Sequence, residues 1–348
     1  MHDLRQRIGR LFMAGIPGLV LDAATQQTLE RLRIGGVILF RRNASDPAQI
    51  AALTHALHAL PSAPLVAIDH EGGRVVRLEE PFTRFPAAAA VGRSGDSSLA
   101  FQIGQAMGEE LAGVGIDLNF APVLDVHSNP ANPIIGDRAF GSDAALVSAM
   151  GVAMLRGLLA GGVIPCGKHF PGHGDTEKDS HLELPTVRRS RAQLERTELA
   201  PFRAAIAAGV PMLMTAHVLY PALDAERPAT LSHAILTGLL RAELGFKGVI
   251  ASDDLEMRAI SDDQDIGSAA VATLKAGADM LLICQDLAKV ERAARAIEEA
   301  VTEGVLERAT ITTAADRVQR LRNLQLSRPA AACELPNAGH RALAERLR

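Results

Sequence analysis

Residues 161–181 read Gly-Gly-Val-Ile-Pro-Cys-Gly-Lys-His-Phe-Pro-Gly-His-Gly-Asp-Thr-Glu-Lys-Asp-Ser-His. The apolar run up to Gly167 has the length of a buried strand. It stops at Lys168, and the fourteen residues 168–181 then hold three His, two Asp, two Lys and two Gly. Packing does not explain such a loop. Titratable groups this dense are costly to desolvate, so they face water or form a site. In the Asp179-Ser180-His181 triplet a carboxylate lies two residues from an imidazole. It can hold the ring in one tautomer with a pKa near neutrality, which suits a proton shuttle.

The same pattern recurs outward along the chain. Leu65–Ile68 ends in Asp69-His70-Glu71-Gly72-Gly73-Arg74, and residues 117–122 lead to Asp125 and then Gly136-Asp137-Arg138. Met212–Ala216 ends in His217, and Val249–Ala251 ends in Ser252-Asp253-Asp254. With Leu11–Gly15, Gly36–Phe40 and Met280–Cys284 the candidate strands number eight. Between them lie amphipathic stretches at 25–34, 47–60, 98–114, 144–160, 191–208, 232–244, 266–276 and 287–303, with another at 309–324. Strands alternating with helices imply parallel pairing through right-handed crossovers, and eight such units close into a barrel. The expected fold is therefore α/β, a single-domain (β/α)8 TIM-type barrel over residues 1–326, followed by a tail at 327–348 with a short helix from Ala338 onward. A doubly wound sheet competes, but no Gly-x-Gly-x-x-Gly follows the first strands.

Composition narrows the function. The chain has 348 residues, 48% hydrophobic, with a net charge of −4, so nucleic acid and anionic membranes are not expected partners. Three widely spaced cysteines, Cys166, Cys284 and Cys333, suit a reducing compartment better than a disulfide framework. Trp is absent and Tyr220 is the one tyrosine, which leaves few stacking platforms for long polymers. Arg5, Arg7 and Arg10 before an apolar stretch faintly resemble a secretory signal, but Gly15, Pro17 and Gly18 interrupt it.

In a barrel of this kind the chemistry lies at the carboxyl ends of the strands, where these polar endings converge. Cleaving an acetal requires one group to protonate the departing oxygen and a second to meet the developing oxocarbenium ion. Asp253 or Asp254 suits the second task. Strand alternation admits only one of them to the mouth, and spacing alone does not choose. Both also read as helix N-caps. Arg77, Arg138 and Lys168 read as a clamp on sugar hydroxyls with Asp69, or as salt bridges, Asp69 with Arg77 and Asp137 with Arg138. His173 is expected to bond its own loop and His217 to be a satisfied core histidine, while His55, His58, His70 and His127 read as surface or loop residues.

Residues 168–176, continuing to Asp179-Ser180-His181, resemble the signature of the glycoside hydrolase family 3 β-N-acetylhexosaminidases, nearest to the bacterial NagZ-type enzymes of cell-wall recycling. Ser252-Asp253-Asp254-Leu255-Glu256-Met257, Asp69-x-Glu71-Gly72-Gly73-Arg74-Val75 and Gly136-Asp137-Arg138-Ala139-Phe140 agree with it in the same order, and the likeness covers roughly residues 5–325. The resemblance implies a retaining mechanism without metal or cofactor. It makes Asp253 the nucleophile and His181 the acid/base assisted by Asp179. It assigns Asp69, Arg77, Arg138, Lys168 and His169 to the terminal N-acetylglucosamine. It further implies small muropeptide fragments as substrate, a cytoplasmic location, a monomer, and a chain too short for the second domain that other family members carry. A metal-dependent hydrolase built on His169, His173, His181, Asp175 and Asp253 is the alternative chemistry, although His-x-His and His-Glu-x-x-His motifs are missing. A sugar-binding barrel without activity is the non-enzymatic one.

Overall fold

The computed structural model of the protein describes residues 2–177, 183–262, 264–326 and 333–347. Its centre is a closed barrel of eight strands: β1 (Phe12–Gly15), β2 (Gly36–Leu39), β3 (Leu65–Ile68), β4 (Leu118–Asn119), β5 (Ile164–Phe170), β6 (Met212–Thr215), β7 (Val249–Asp254) and β8 (Met280–Ile283). Neighbours in the chain are neighbours in the barrel, all parallel. Closure sets Phe12 of β1 opposite Leu281 of β8. Each expected apolar run thus forms one barrel strand.

Alternation along the strands divides the core in two. Met13, Ile38, Ala67, Cys166, Met214, Ala251 and Leu282 belong to one buried cluster inside the barrel. The residues between them, such as Val66, Leu213, Ile250 and Leu281, join the outer clusters built with the helices. The amino-terminal end of the barrel is closed by the helix Arg308–Leu326, whose Val318 and Leu321 enter the interior cluster. Buried Asp279, just before β8, pins that helix. It accepts from Arg317 at 2.9 Å and from the Ile250 amide at 2.9 Å, and it also pairs with Arg241.

Several boundaries differ from the sequence expectation for identifiable reasons. The stretch 117–122 is regular only at Leu118–Asn119. Pro122 has no N–H to give, and its neighbours follow β5 irregularly, with Cys166 N bonding Ala121 O at 3.0 Å and Lys168 N bonding Pro122 O at 3.2 Å. The stretch 191–208 is two helices, Arg191–Arg196 and Leu199–Ala207. Pro201 cannot continue one helix through Thr197. Arg5, Arg7 and Arg10 lie on a helix, His2–Arg10, whose Leu4 and Ile8 are buried and whose Arg5 meets Glu298 at 2.8 Å. The apolar stretch that follows these arginines begins with the barrel strand β1. Helices Ser97–Gly113 and Ala144–Ala160 pack backbone to backbone, since a Cβ on Gly157 would lie 2.2 Å from the Phe101 carbonyl. A last helix, Ala338–Glu345, docks on the first of these through His340, which meets Glu109 at 3.1 Å and Glu110 at 2.9 Å.

Removing one partner from a buried ion pair strands the other charge. Asp279→Ala, which leaves Arg241 and Arg317 facing each other, is expected to lower unfolding free energy by about 3–5 kcal/mol in urea titrations.

Candidate active site

Strand phase decides which polar groups enter the barrel mouth. Asp69 follows inward Leu65 and Ala67, Lys168 follows inward Ile164 and Cys166, and Asp253 follows inward Val249 and Ala251, each in steps of two. Asp254 is out of phase with them. Its Oδ1 turns to the neighbouring strand end, accepting from Cys284 N at 3.3 Å and Glu256 N at 3.0 Å. Neither Asp caps a helix: the next short helix begins after Met257, and Asp265 caps the one after that.

The mouth holds a cavity of about 280 Å³, lined by Asp69, Arg77, Arg138, Lys168, His169 and Asp253 together with apolar Phe40, Val75, Met214 and Met257. Six of the expected site residues thus converge on one cavity. The other two, Asp179 and His181, lie outside the described residues.

The polar wall is a linked set of charges. Lys168 Nζ lies 2.7 Å from Asp69 Oδ1 and 2.6 Å from Glu71 Oε1, with its side chain 3% exposed. Glu71 accepts a forked pair from Arg138, both bonds at 2.8 Å. Arg77 stands 3.7 Å from the other oxygen of Asp69, and its buried Nε has no hydrogen-bond partner among the described residues. Burial alone would raise the Glu71 carboxyl and lower the Lys168 ammonium. The charges of Arg138 and Lys168 outweigh it for Glu71, and those of Asp69 and Glu71 outweigh it for Lys168. Glu71 and Lys168 therefore stay ionised. Asp137 pairs with Arg74 at 2.9 Å, not with Arg138.

A second network orients the imidazoles. Asp125, fully buried, accepts from His169 Nδ1 at 2.7 Å and from the His173 amide at 2.7 Å. Burial opposes its charge, but the two histidines hold its pKa below the ordinary range. The carboxylate therefore places the His169 proton on Nδ1. His173 bonds Thr176 Oγ1 within its own loop at 2.9 Å, as expected, and burial followed by the His169 charge depresses its pKa to about 4. The loop threads tightly here: a Cβ on Gly174 would lie 1.6 Å from the Val126 carbonyl. His70 is not a surface residue. It is 2% exposed, and its Nδ1 accepts from the Arg77 amide at 3.3 Å. Burial lifts the Asp254 carboxyl to about 7, helped by the charges of Glu256 and Asp253.

Glu71 and Asp125 were visible at strand endings but carried no assigned role; an acidic residue two places beyond Asp69 was the available signal. Phe40, Met214 and Met257 had none, because apolar residues at strand ends look like core.

Residues 3–321 match the family described as Glycosyl hydrolase family 3 N terminal domain. The chain belongs to glycosyl hydrolase family 3. A beta-hexosaminidase of Thiobacillus denitrificans is 42% identical over 279 residues, covering 78% of this chain and 77% of the relative. A glycoside hydrolase family 3 beta-N-acetylglucosaminidase from Paenibacillus sp. str. FPU-7 superposes with a TM-score of 0.95 at 41% identity, covering 99% of this chain and 68% of that one. NagZ from Neisseria gonorrhoeae does so with a TM-score of 0.80 at 36% identity, covering 97% and 96%.

The depressed imidazoles of this family 3 barrel give a signed pH dependence. His70 and His173 are held neutral to about 4, against 6.5 for a free imidazole. Their contribution to stability is fully present above pH 6.5 and is lost as pH falls toward 4. His173→Gln is expected to flatten the loss of unfolding free energy across that window, measured by urea titration at several pH values. An unchanged slope would show that His173 titrates normally in the fold.

Proposed function

We propose that the protein is a retaining exo-β-N-acetylglucosaminidase. The observation that carries the reading is the inward Asp253 at the tip of β7, facing the same cavity as the Asp69–Lys168–Glu71–Arg138 network. A cavity of about 280 Å³ with an apolar floor and a polar wall suits one terminal sugar residue. The activities named for the relatives and the motif at 168–181 support the same substrate class.

In this reading Asp69, Arg77, Arg138, Lys168 and His169 hold the hydroxyls of the terminal N-acetylglucosamine. An Asp253 oxygen bonds to the anomeric carbon as the glycosidic C–O bond breaks, and the departing oxygen takes a proton from His181. Water then gives its proton to His181 while its oxygen bonds to the anomeric carbon, releasing Asp253. Asp179 orients the His181 ring and stabilises its cationic form. His181 and Asp179 enter on the sequence motif alone. No metal or cofactor takes part. The proposed natural substrates are N-acetylglucosaminyl-β-1,4-anhydro-N-acetylmuramic acid and its peptides. The enzyme acts as a cytoplasmic monomer in cell-wall recycling, with residues 1–326 as the glycosidase domain and 327–348 as a tail. No helix among the described residues is long and apolar enough to cross a membrane.

Release of chromophore from 4-nitrophenyl β-N-acetylglucosaminide is the direct test, run beside the β-glucoside, the α-anomer and a chelator-treated sample. Activity confined to the first substrate and resistant to chelator is expected; loss on metal stripping would favour the metal-dependent alternative. Asp253→Asn is expected to reduce kcat by at least about 10³-fold with the fold intact. His181→Ala is expected to lose about 10²-fold or more on the natural disaccharide, and much less at the glycosylation step of a dinitrophenyl glycoside, whose leaving group needs no proton. Equal losses on both would remove His181 from the acid role.

A further inference from the structure

One fully buried titratable side chain beside the cavity has no part in the chemistry above. His217 lies two residues beyond β6 and is 0% exposed. Its Nε2 is 3.0 Å from the backbone carbonyl of Asp254. Its Nδ1 is 2.8 Å from Thr230 Oγ1, which lies 2.7 Å from Thr215 Oγ1 and 3.1 Å from the Ala216 carbonyl. Thr215 and Thr230 are also fully buried.

The donor assignment follows from the partners. A carbonyl only accepts, so Nε2 carries the proton and donates to Asp254. The imidazole thereby ties the end of β7 to the end of β6, past the last regular pairing of these strands at Met214 and Ala251. On the other side, Asp254 Oδ1 accepts the Cys284 amide beyond β8. Residue 254 is therefore held from both flanks, by its carbonyl on one side and its side chain on the other. Asp253 Oδ1 in turn accepts the Asp254 amide at 2.8 Å, so the backbone at 254 also orients the carboxylate.

We propose that His217 is a positioning residue, which sets the backbone at Asp254 and through it the aim of the Asp253 carboxylate at the anomeric carbon. The proposal rests on Asp253 being the nucleophile. An anchored strand end is what a near-attack geometry requires, because displacement of a reacting group by about 1 Å can reduce rate by about 10²-fold.

Two substitutions separate this role from simple core filling. Gln places its amide nitrogen near the position of Nε2 and keeps the donor to Asp254. Asn reaches only the Nδ1 position and leaves the Asp254 carbonyl unpaired. On 4-nitrophenyl β-N-acetylglucosaminide, His217→Asn is expected to lower kcat by about 10²-fold with KM within about 2-fold of wild type, and His217→Gln to recover most of that loss. If H217N folds poorly, Thr230→Val keeps the shape, removes the hydroxyl that fixes the ring, and is expected to give a smaller kcat loss at unchanged KM. Equal kcat for the Asn and Gln variants, or a loss confined to KM, overturns the proposal. Trapping wild-type enzyme with a 5-fluoro N-acetylglucosaminyl fluoride and mapping the adduct tests the premise separately. An adduct away from Asp253 rejects the nucleophile assignment, whatever the two variants do.

Discussion

The site depends on the ammonium of Lys168 being held between two carboxylates. Asp69 and Glu71 both lie within 2.7 Å of it, and the lysine side chain itself is buried. Burial alone would favour a proton on Glu71; the Arg138 fork and the Lys168 charge keep its carboxylate ionised. These contacts join the segments that follow β3 and β4 to β5 itself. The network thus builds the cavity wall as well as charging it.

The barrel explains why these charges meet. Each strand contributes inward side chains at every second residue, and the interior column is apolar until the strand ends. The next inward position then opens on solvent and can hold a charge. Lys168 continues the column of Ile164 and Cys166 as Asp253 continues that of Val249 and Ala251. At the opposite end the same need is met differently: Asp279 and Asp117 lie ahead of their strands, paired with Arg317 and His58. One end is tied shut by a helix, while the other carries the cavity.

Asp125 shows how a buried acid organises a loop without touching its chemistry. It receives the His169 ring, the His169 amide and the His173 amide, so it holds both side chain and backbone of the turn after β5. Gly174 allows that turn to pass directly over the Val126 carbonyl. The His217 contact to Asp254 has the same character on the facing strands, a side chain holding backbone next to a functional carboxylate.

The eight apolar runs and their polar endings are local features, so the amino-acid order alone determined the barrel and the strand-end positions of Asp69 and Lys168, and narrowed the third to Asp253 or Asp254. Strand period and helix period are short-range properties that side-chain chemistry writes directly into the chain. Partner choice is not local. That Arg138 joins Glu71 while Asp137 joins Arg74, that His70 is buried, and that Asp254 turns its Oδ1 to the Cys284 amide were decided when distant segments packed together. A charge selects among several nearby partners by distance and desolvation, and only the closed barrel sets those distances.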